Sequence, residues 1–224
     1  MLKIDNKEFM EKYVLKYNIN DIFTEDMRHF MELFLFKKNE FICRENEKLN
    51  YLFFFVDGKA KAYSTLSNGK SLLLCFYQGF MLLGDLEMLN SEPANTNVQV
   101  IEDTYCIGIP TEKVKRYLQG DAKFLRYICN SLGEKLKRCS KNSSINLLFP
   151  LENRLASYIL ATGGNFDESL IEISELLGTS YRHLLRTLNN MCQKGLIRKN
   201  HATFEIIDKT VLNKLASDLY INLF

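Results

Sequence analysis

No uninterrupted apolar run in the 224-residue chain approaches the length needed to cross a bilayer as a helix, about 20 residues. The N-terminus also has no signal-peptide pattern. Together these absences predict a cytosolic protein that does not enter a membrane. Close cysteine pairs are missing too. Cys43, Cys75, Cys106, Cys129, Cys139 and Cys192 form no CxxC, and only Cys129 and Cys139 stand within ten residues of each other. Structural zinc draws on close pairs, so no metal is expected. In a reducing compartment the thiols read as small buried hydrophobes. None has a cysteine or histidine at a motif spacing, so no thiol enzyme is expected. Excess charge is absent as well: the formal net charge is only +2. From Pro150 onward 8 Lys/Arg balance 8 Asp/Glu. Any case for a nucleic-acid partner must therefore rest on where the charge sits.

One local absence makes that case. From Leu176 to Phe204 there is no Asp or Glu, while Arg182, Arg186, Lys194, Arg198 and Lys199 all fall there. A solvated face normally mixes signs, and a phosphate-facing one does not. The same region predicts two short helices and a tight turn. Ser169-x-x-Glu172 is a capping box that opens a helix at Leu170. Ile173, Leu176 and Leu177 line one face, and Gly178 stops it. Thr179 or Ser180 can cap a second helix. There Leu184, Leu185, Leu188 and Met191 share a face opposite Arg182, Arg186, Asn189 and Gln193. A helical hairpin with a solvated polar face would show the same periodicity. The missing acids, together with Gly195–Ile207 read as a β-hairpin turning near Asn200-His201, favour a winged helix-turn-helix with one helix in the DNA major groove.

Residues 1–30 read as helical, with no chemistry to assign. From Met31 to Pro110 the pattern is β. Leu33–Phe36, Glu40–Cys43, Tyr51–Val56, Lys59–Tyr63, Ser71–Tyr77, Asn97–Ile101 and Thr104–Ile109 are strand-like. Asp57-Gly58 and Asn68-Gly69 read as hairpin turns. Short strands with regular turns predict an antiparallel sandwich or jelly roll. A short helical turn after Gly84 would leave free amides that could receive an anion, or be only a kinked connection. Pro110 to Ser144 reads as helix, with Leu125, Ile128, Leu132, Leu136 and Cys139 at steps of 3, 4, 4 and 3. That stripe suits a dimer seam, or packing on the chain's own β-domain. Asn142-Ser143-Ser144 reads as a hinge. Pro150 opens a helix ending at Gly163-Gly164, and Val211–Leu219 a terminal one.

A β-roll, a long dimerisation helix and a C-terminal winged helix-turn-helix, in that order, resemble the Crp/Fnr superfamily of bacterial transcription regulators. The carriers are Val56-Asp57-Gly58-Lys59, Ser67-Asn68-Gly69-Lys70, Gly84-Asp85-Leu86 and Ile173–Leu188. Tyr51–Leu66, Phe149–Leu160 and Ser180–Leu185 are most similar to the YeiL-type branch. The resemblance implies an α+β chain: a cyclic-nucleotide-binding-like roll with N-terminal helices over 1–110, a dimerisation helix and hinge over 111–144, and a DNA-binding domain over 145–224. It implies a homodimer on duplex DNA at a palindromic operator, with RNA polymerase as a further partner and no enzymatic activity. DNA contacts would come from Thr179, Ser180, Tyr181, Arg182, Arg186, Asn189 and Lys199.

Two departures qualify what the resemblance implies. The family's reading helix runs Ser-Arg-Glu-Thr-Val-x-Arg, and here Ser180-Tyr181-Arg182-His183-Leu184-Leu185-Arg186 stands in its place. Ser180 and Arg186 carry over. Arg182 reverses the charge of the family's glutamate, which implies a different operator or a phosphate contact. Members that bind cyclic AMP have Gly-Glu in the loop, then Arg-Ser ten and eleven residues beyond the glutamate. Here Gly84-Asp85 is followed by Asn95-Thr96. A cyclic phosphate would lack its arginine, so cyclic nucleotide is not expected. Cys139-Ser140 stand where nucleotide-binding members place hydroxyl contacts, and Cys139 could face its symmetry mate in an intersubunit disulfide or redox-sensitive contact, or be only a small residue filling a tight seam. An Fnr-type iron–sulfur cluster is unsupported, because Cys43 has no near neighbour. Haem is equally unsupported, since His29 is the only histidine outside the DNA-binding domain. No cofactor is implied. The alternative is a small-molecule-binding module that docks on a protein rather than DNA.

Overall fold

The run Tyr51–Val56 buries both faces of its strand: Leu52, Phe53, Phe54, Phe55 and Val56 are all within 3% of full burial. Such a strand needs a layer on each side. The computed structural model describes residues 1–65, 71–164, 166, 169–200 and 203–216. Its contacts form two units, the first holding Met1–Ser64 and Phe76–Lys137, the second the described residues of 65–75 and from Arg138 on.

In chain order β1 (Leu2–Ile4) is followed by α1 (Lys7–Lys16), β2 (Glu32–Phe36), β3 (Phe41–Cys43), β4 (Tyr51–Thr65), β5 (Ser71–Gln78), β6 (Met81–Leu83), α2 (Asp85–Asn90) and β7 (Asn97–Pro110). Then come α3 (Thr111–Leu118) and α4 (Ala122–Leu148). The sheet runs β1-β2-β7-β4-β5, with β3 also on β7 and β6 on β4. Register places Phe34 opposite Cys106 and Phe54 opposite Ile107. Ile19, Phe23, Met27, Leu33, Phe54, Ile107, Leu118, Phe124 and Ile128 form one core.

Several expectations are corrected here. The first thirty residues are not simply helical. Leu2–Ile4 add an edge strand to β2, and only Lys7–Lys16 form an α-helix, capped by Asn6. Beyond Asn18, which turns at φ +50°, a short 3₁₀ turn over Ile19–Ile22 carries Ile19 and Ile22 into the core, and a second 3₁₀ turn follows at Arg28–Phe30. Asp57-Gly58 is not a hairpin turn. β4 continues through it against β7, with register shifts between Phe55 and Ala60, so the pair forms a bulge. Gly58 has φ +99°, and a Cβ there would stand 2.5 Å from Thr104 Oγ1. The left-handed glycine was legible, but the long partner strand made it a bend. Residues 67–70, the second expected hairpin, lie outside the described residues.

The helical stretch after Pro110 is two helices, not one. They part at Gln119–Asp121, where the Asp121 carboxylate accepts from the N–H groups of Lys123 and Phe124 at 2.9 and 3.2 Å, capping α4. The expected hinge at Asn142–Ser144 is helical, and α4 ends only before Pro150, which has no N–H to continue it. Ile128 leaves the expected seam, because it is fully buried in the first unit's own core. Leu132 is partly buried against that core, whereas Leu136 is 71% exposed.

The second unit holds α5 (Leu151–Thr162), α6 (Leu170–Leu176), α7 (Tyr181–Gln193), β8 (Ile197–Asn200), β9 (Thr203–Ile206) and α8 (Lys209–Ala216). Leu155, Ile159, Ile173, Leu177, Leu184, Met191 and Leu212 are fully buried in it. α8 begins ahead of the expected Val211 because Asp208 caps it, accepting from the Val211 N–H at 2.9 Å. Residues 217–219 of the expected helix lie outside the described residues.

Asp121 also accepts from Thr24 N–H at 2.7 Å and Thr24 Oγ1 at 2.8 Å. Burial pushes its carboxyl up, but the donors from Thr24, Phe124 and Lys123 outweigh that and hold it below the ordinary aspartate value. A lowered folded-state pKa stabilises the fold above the unfolded value and loses that stability as pH falls through the folded one. Asp121→Ala should therefore cost about 1 kcal/mol at neutral pH, the usual worth of a helix N-cap. Urea unfolding should show the difference from wild type shrinking once the pH drops below 3.8, the ordinary aspartate value.

Candidate nucleic-acid interface and sensor loop

The candidate helix α7 is positioned by local chemistry. Ser169 accepts from the Glu172 N–H at 3.3 Å, and Glu172 accepts from the Ser169 N–H at 2.8 Å, completing the capping box of α6. Gly178, at φ +57°, turns the chain, and the Thr179 N–H donates to the Ser174 carbonyl at 2.9 Å. The Ser180 hydroxyl oxygen then accepts from the His183 N–H at 3.2 Å and starts α7. A tertiary contact holds this turn. Arg154 of α5, 7% exposed, donates from Nε to the Phe149 carbonyl at 3.1 Å and from Nη1 to the Leu177 carbonyl. That buried arginine was not singled out from sequence. Its position inside an amphipathic helix gives no hint that it serves two carbonyls.

α7 buries Leu184, Leu188 and Met191. Tyr181, Arg182, Arg186 and Asn189 are exposed, as are Ser180 at its cap and Lys199 on β8. Thr179 is half-buried, its Oγ1 3.3 Å from His183 Nδ1. His183 and Asn190 are exposed on α7 as well, and helical spacing sets them beside Arg186. The acid-free stretch is less unpaired than its composition implied. Lys194 Nζ lies 2.6 Å from Glu152, and Arg198 lies 3.6 Å from Glu205. Both acids stand outside the stretch. Among the described residues Arg182, Arg186 and Lys199 have no carboxylate partner.

The wing is seated on its own unit. β8 and β9 pair antiparallel, with Lys199 opposite Phe204 and Asn200 opposite Thr203. Residues 201–202, at the expected turn, lie outside the described residues. The Phe204 N–H donates to the Gly164 carbonyl at 3.0 Å, and its ring meets Phe166 at 5.1 Å. Gly164, at φ +82°, has no room for a Cβ beside the Phe204 carbonyl.

In the sensor loop Gly84, at φ +95°, opens α2, and Asp85 points inward with its side chain 3% exposed. The Asp85 carboxylate accepts from Lys135 Nζ at 2.7 and 2.8 Å and from Ser131 Oγ at 3.3 Å. Both donors come from α4, where Phe124, Ile128, Ser131 and Lys135 recur at steps of 4, 3 and 4. Lys135 was missed for the same reason that Ile128 was misplaced: the face of α4 turned to the roll lies beside the stripe read as a seam. Asn95 is exposed, and Thr96 is half-buried, its carbonyl 3.5 Å from Cys43 Sγ. Cys139, half-buried, and Ser140, exposed, belong to the second unit. Burial pushes the Cys43 thiol up to about 12, with Glu87 adding to it, and pushes Cys106 up as well. Neither forms the thiolate that thiol chemistry requires.

Comparison with known proteins identifies the two parts. A model of the cyclic nucleotide-binding domain matches residues 33–121, and one of the Crp-like helix-turn-helix domain matches residues 153–215. The regulatory protein YeiL of Escherichia coli O157:H7 is 32% identical over 89% of this chain and 92% of its own length. The chain belongs to the Crp/Fnr family of transcription regulators. The cyclic AMP receptor protein of Thermus thermophilus is a more distant relative, 20% identical over 75% of this chain and 80% of its own. A Crp/Fnr-family regulator from Eubacterium rectale shares the fold with a TM-score of 0.76 and 18% identity, over 84% of this chain and 90% of that one. A CRP-family regulator from Thermus thermophilus does so at 0.70 and 16%, over 82% and 96%. As a Crp/Fnr regulator the chain has a DNA-binding helix-turn-helix and belongs to a family of regulators, not enzymes. No helix among the described residues is long and apolar enough to cross a membrane.

Arg154 gives this region a direct test. Arg154→Met keeps the apolar stem but leaves the Leu177 and Phe149 carbonyls short of a donor. Urea unfolding of the second unit should show a loss of about 1–3 kcal/mol, the cost of a buried polar group left unsatisfied, with the first unit unchanged.

Proposed function

We propose that the protein is a homodimeric, sequence-specific DNA-binding regulator whose sensor roll does not take a cyclic nucleotide. The observation behind this reading is the outer face of α7, where Arg182, Arg186 and Asn189 are exposed and neither arginine has a carboxylate partner among the described residues. An arginine so placed can donate two parallel N–H groups to guanine O6 and N7. Arg186 is assigned that role. Arg182 and Tyr181 set an operator different from the family's usual half-site. Ser180, Thr179 and Lys199 position the phosphates, and Asn189 reaches toward the base edges.

Dimerisation is assigned to α4, on a stripe revised from the one in the sequence. Leu125, Cys129, Leu132, Leu136, Cys139 and Ser143 recur at steps of 4, 3, 4, 3 and 4, the spacing of a two-stranded seam. Cys129 replaces the buried Ile128. Exposure of Leu136 at 71% supports this assignment. A dimer would read a palindrome with one α7 per half-site. The effector reading rests on the loop. Asn95 and Thr96 bring no cation, and Lys135 is already engaged by Asp85.

Selection of operators from random DNA, followed by titration, tests both halves. Arg186→Ala should cost about 1–3 kcal/mol and relax preference at one base position, whereas Lys199→Ala should weaken all sequences alike and lower the salt slope by about one. Failure to select any DNA would turn the reading toward a module that docks on protein. Leu136→Asp should convert the dimer to monomer in sedimentation velocity and abolish preference for palindromes over half-sites; an unchanged dimer would refute the seam.

A further inference from the structure

The sensor unit contains a buried anion of its own. Asp85 belongs to the short helix of the loop, and a carboxylate this deeply buried must be compensated. Its compensation is complete. Oδ1 accepts from Lys135 Nζ at 2.7 Å and from the Leu86 N–H at 3.1 Å, and Oδ2 accepts from Lys135 Nζ at 2.8 Å and from Ser131 Oγ at 3.3 Å. Lys135 Nζ also lies 5.8 Å from the centre of the Tyr77 ring, within reach of a cation–π contact. Three segments therefore converge on one ion pair: the loop helix α2, the roll strand β5 and the long helix α4.

We propose that this ion pair is a built-in latch that joins the sensor loop to the long helix without a bound effector and sets the protein's DNA affinity. It deepens the reading given under Proposed function and rests on it for the DNA step. In chemical terms Asp85 is a tethered anion that occupies the cation an incoming phosphate or carboxylate would need. Tethering makes the competition unequal. A carboxylate held in place by the fold acts at a high effective concentration, and a free anion must displace it from Lys135 and from Ser131 at once. The loop is thus self-liganded. Its position against α4 follows from covalent structure and packing, and Lys135 is not vacant for a small anion in solution. A conformational change in α4 then requires breaking the pair, which leaves one buried charge uncompensated.

The test uses the full-length protein and the variants Asp85→Asn, Lys135→Met, the double variant, and the charge exchange Asp85→Lys with Lys135→Asp. Two readouts are taken: amide hydrogen exchange across α2 and the first half of α4, and affinity for the selected operator. Wild type should bind operator without added ligand, and millimolar cyclic AMP should change neither readout. Asp85→Asn and Lys135→Met should each raise exchange in both helices and weaken DNA binding about tenfold, an ordinary size for coupling between sites. The double variant should be no worse than either single one, and the charge exchange should recover part of the loss. Should Lys135→Met not fold, Asp85→Asn, which keeps the shape, and the double variant, which leaves no lone charge, decide the matter. Additive single effects, or unchanged exchange in the single variants, would overturn the latch. Faster exchange with unaltered DNA affinity would overturn its regulatory role, and a response of wild type to cyclic AMP would overturn self-liganding. If wild type selects no DNA at all, the DNA-binding reading fails, and the exchange measurements alone still decide whether the latch exists.

Discussion

Burial of Phe124 and Ile128 in the core of the sensor unit fixes the rotation of α4 about its own axis. Much of the sensor's chemistry follows from that rotation. With those two residues turned to the roll, the helical repeat turns Ser131 and Lys135 the same way. The same rotation leaves Leu136 exposed, one position along from a lysine that is engaged with Asp85. A helix that serves its own core on one face and leaves leucines exposed on another cannot be sorted by counting apolar residues. Apolar residues fall on both stripes, and the stripes lie side by side.

The loop shows how a family scaffold can keep its architecture while changing its chemistry. Gly84 still supplies the left-handed residue that opens the short helix, and an acid still follows it. Here the acid is satisfied by a lysine from another element of the same chain. A buried carboxylate has to be neutralised by something. In this chain Lys135 of α4, a covalently attached cation, does so.

The second unit depends on shorter-range rules. Its capping box, its Gly178 turn and the Ser180 cap were all legible in the sequence, because each works within four residues of backbone. The polar face of α7 was legible too, since helical spacing alone separates Arg182, Arg186 and Asn189 from Leu184 and Leu188. What spacing could not supply was pairing over distance. Glu152 neutralises Lys194 from a different helix, and Arg154 stabilises the turn from the same one.

The sequence by itself determined the order of the parts, the helix-turn-helix with its wing, and the absence of an arginine where a cyclic phosphate would need one. Those features are written in local periodicity, in caps and in single positions. Tertiary structure alone decided that Asp57-Gly58 is a bend inside a long strand, because a turn and a bulge ask the same left-handed backbone of glycine and only the partner strand separates them. It also decided that Asn142–Ser144 stay helical, that Ile128 faces inward, and that Asp85 meets Lys135 fifty residues away. Each outcome turns on which surface a segment finds to bury against, and side-chain order along the chain does not encode that.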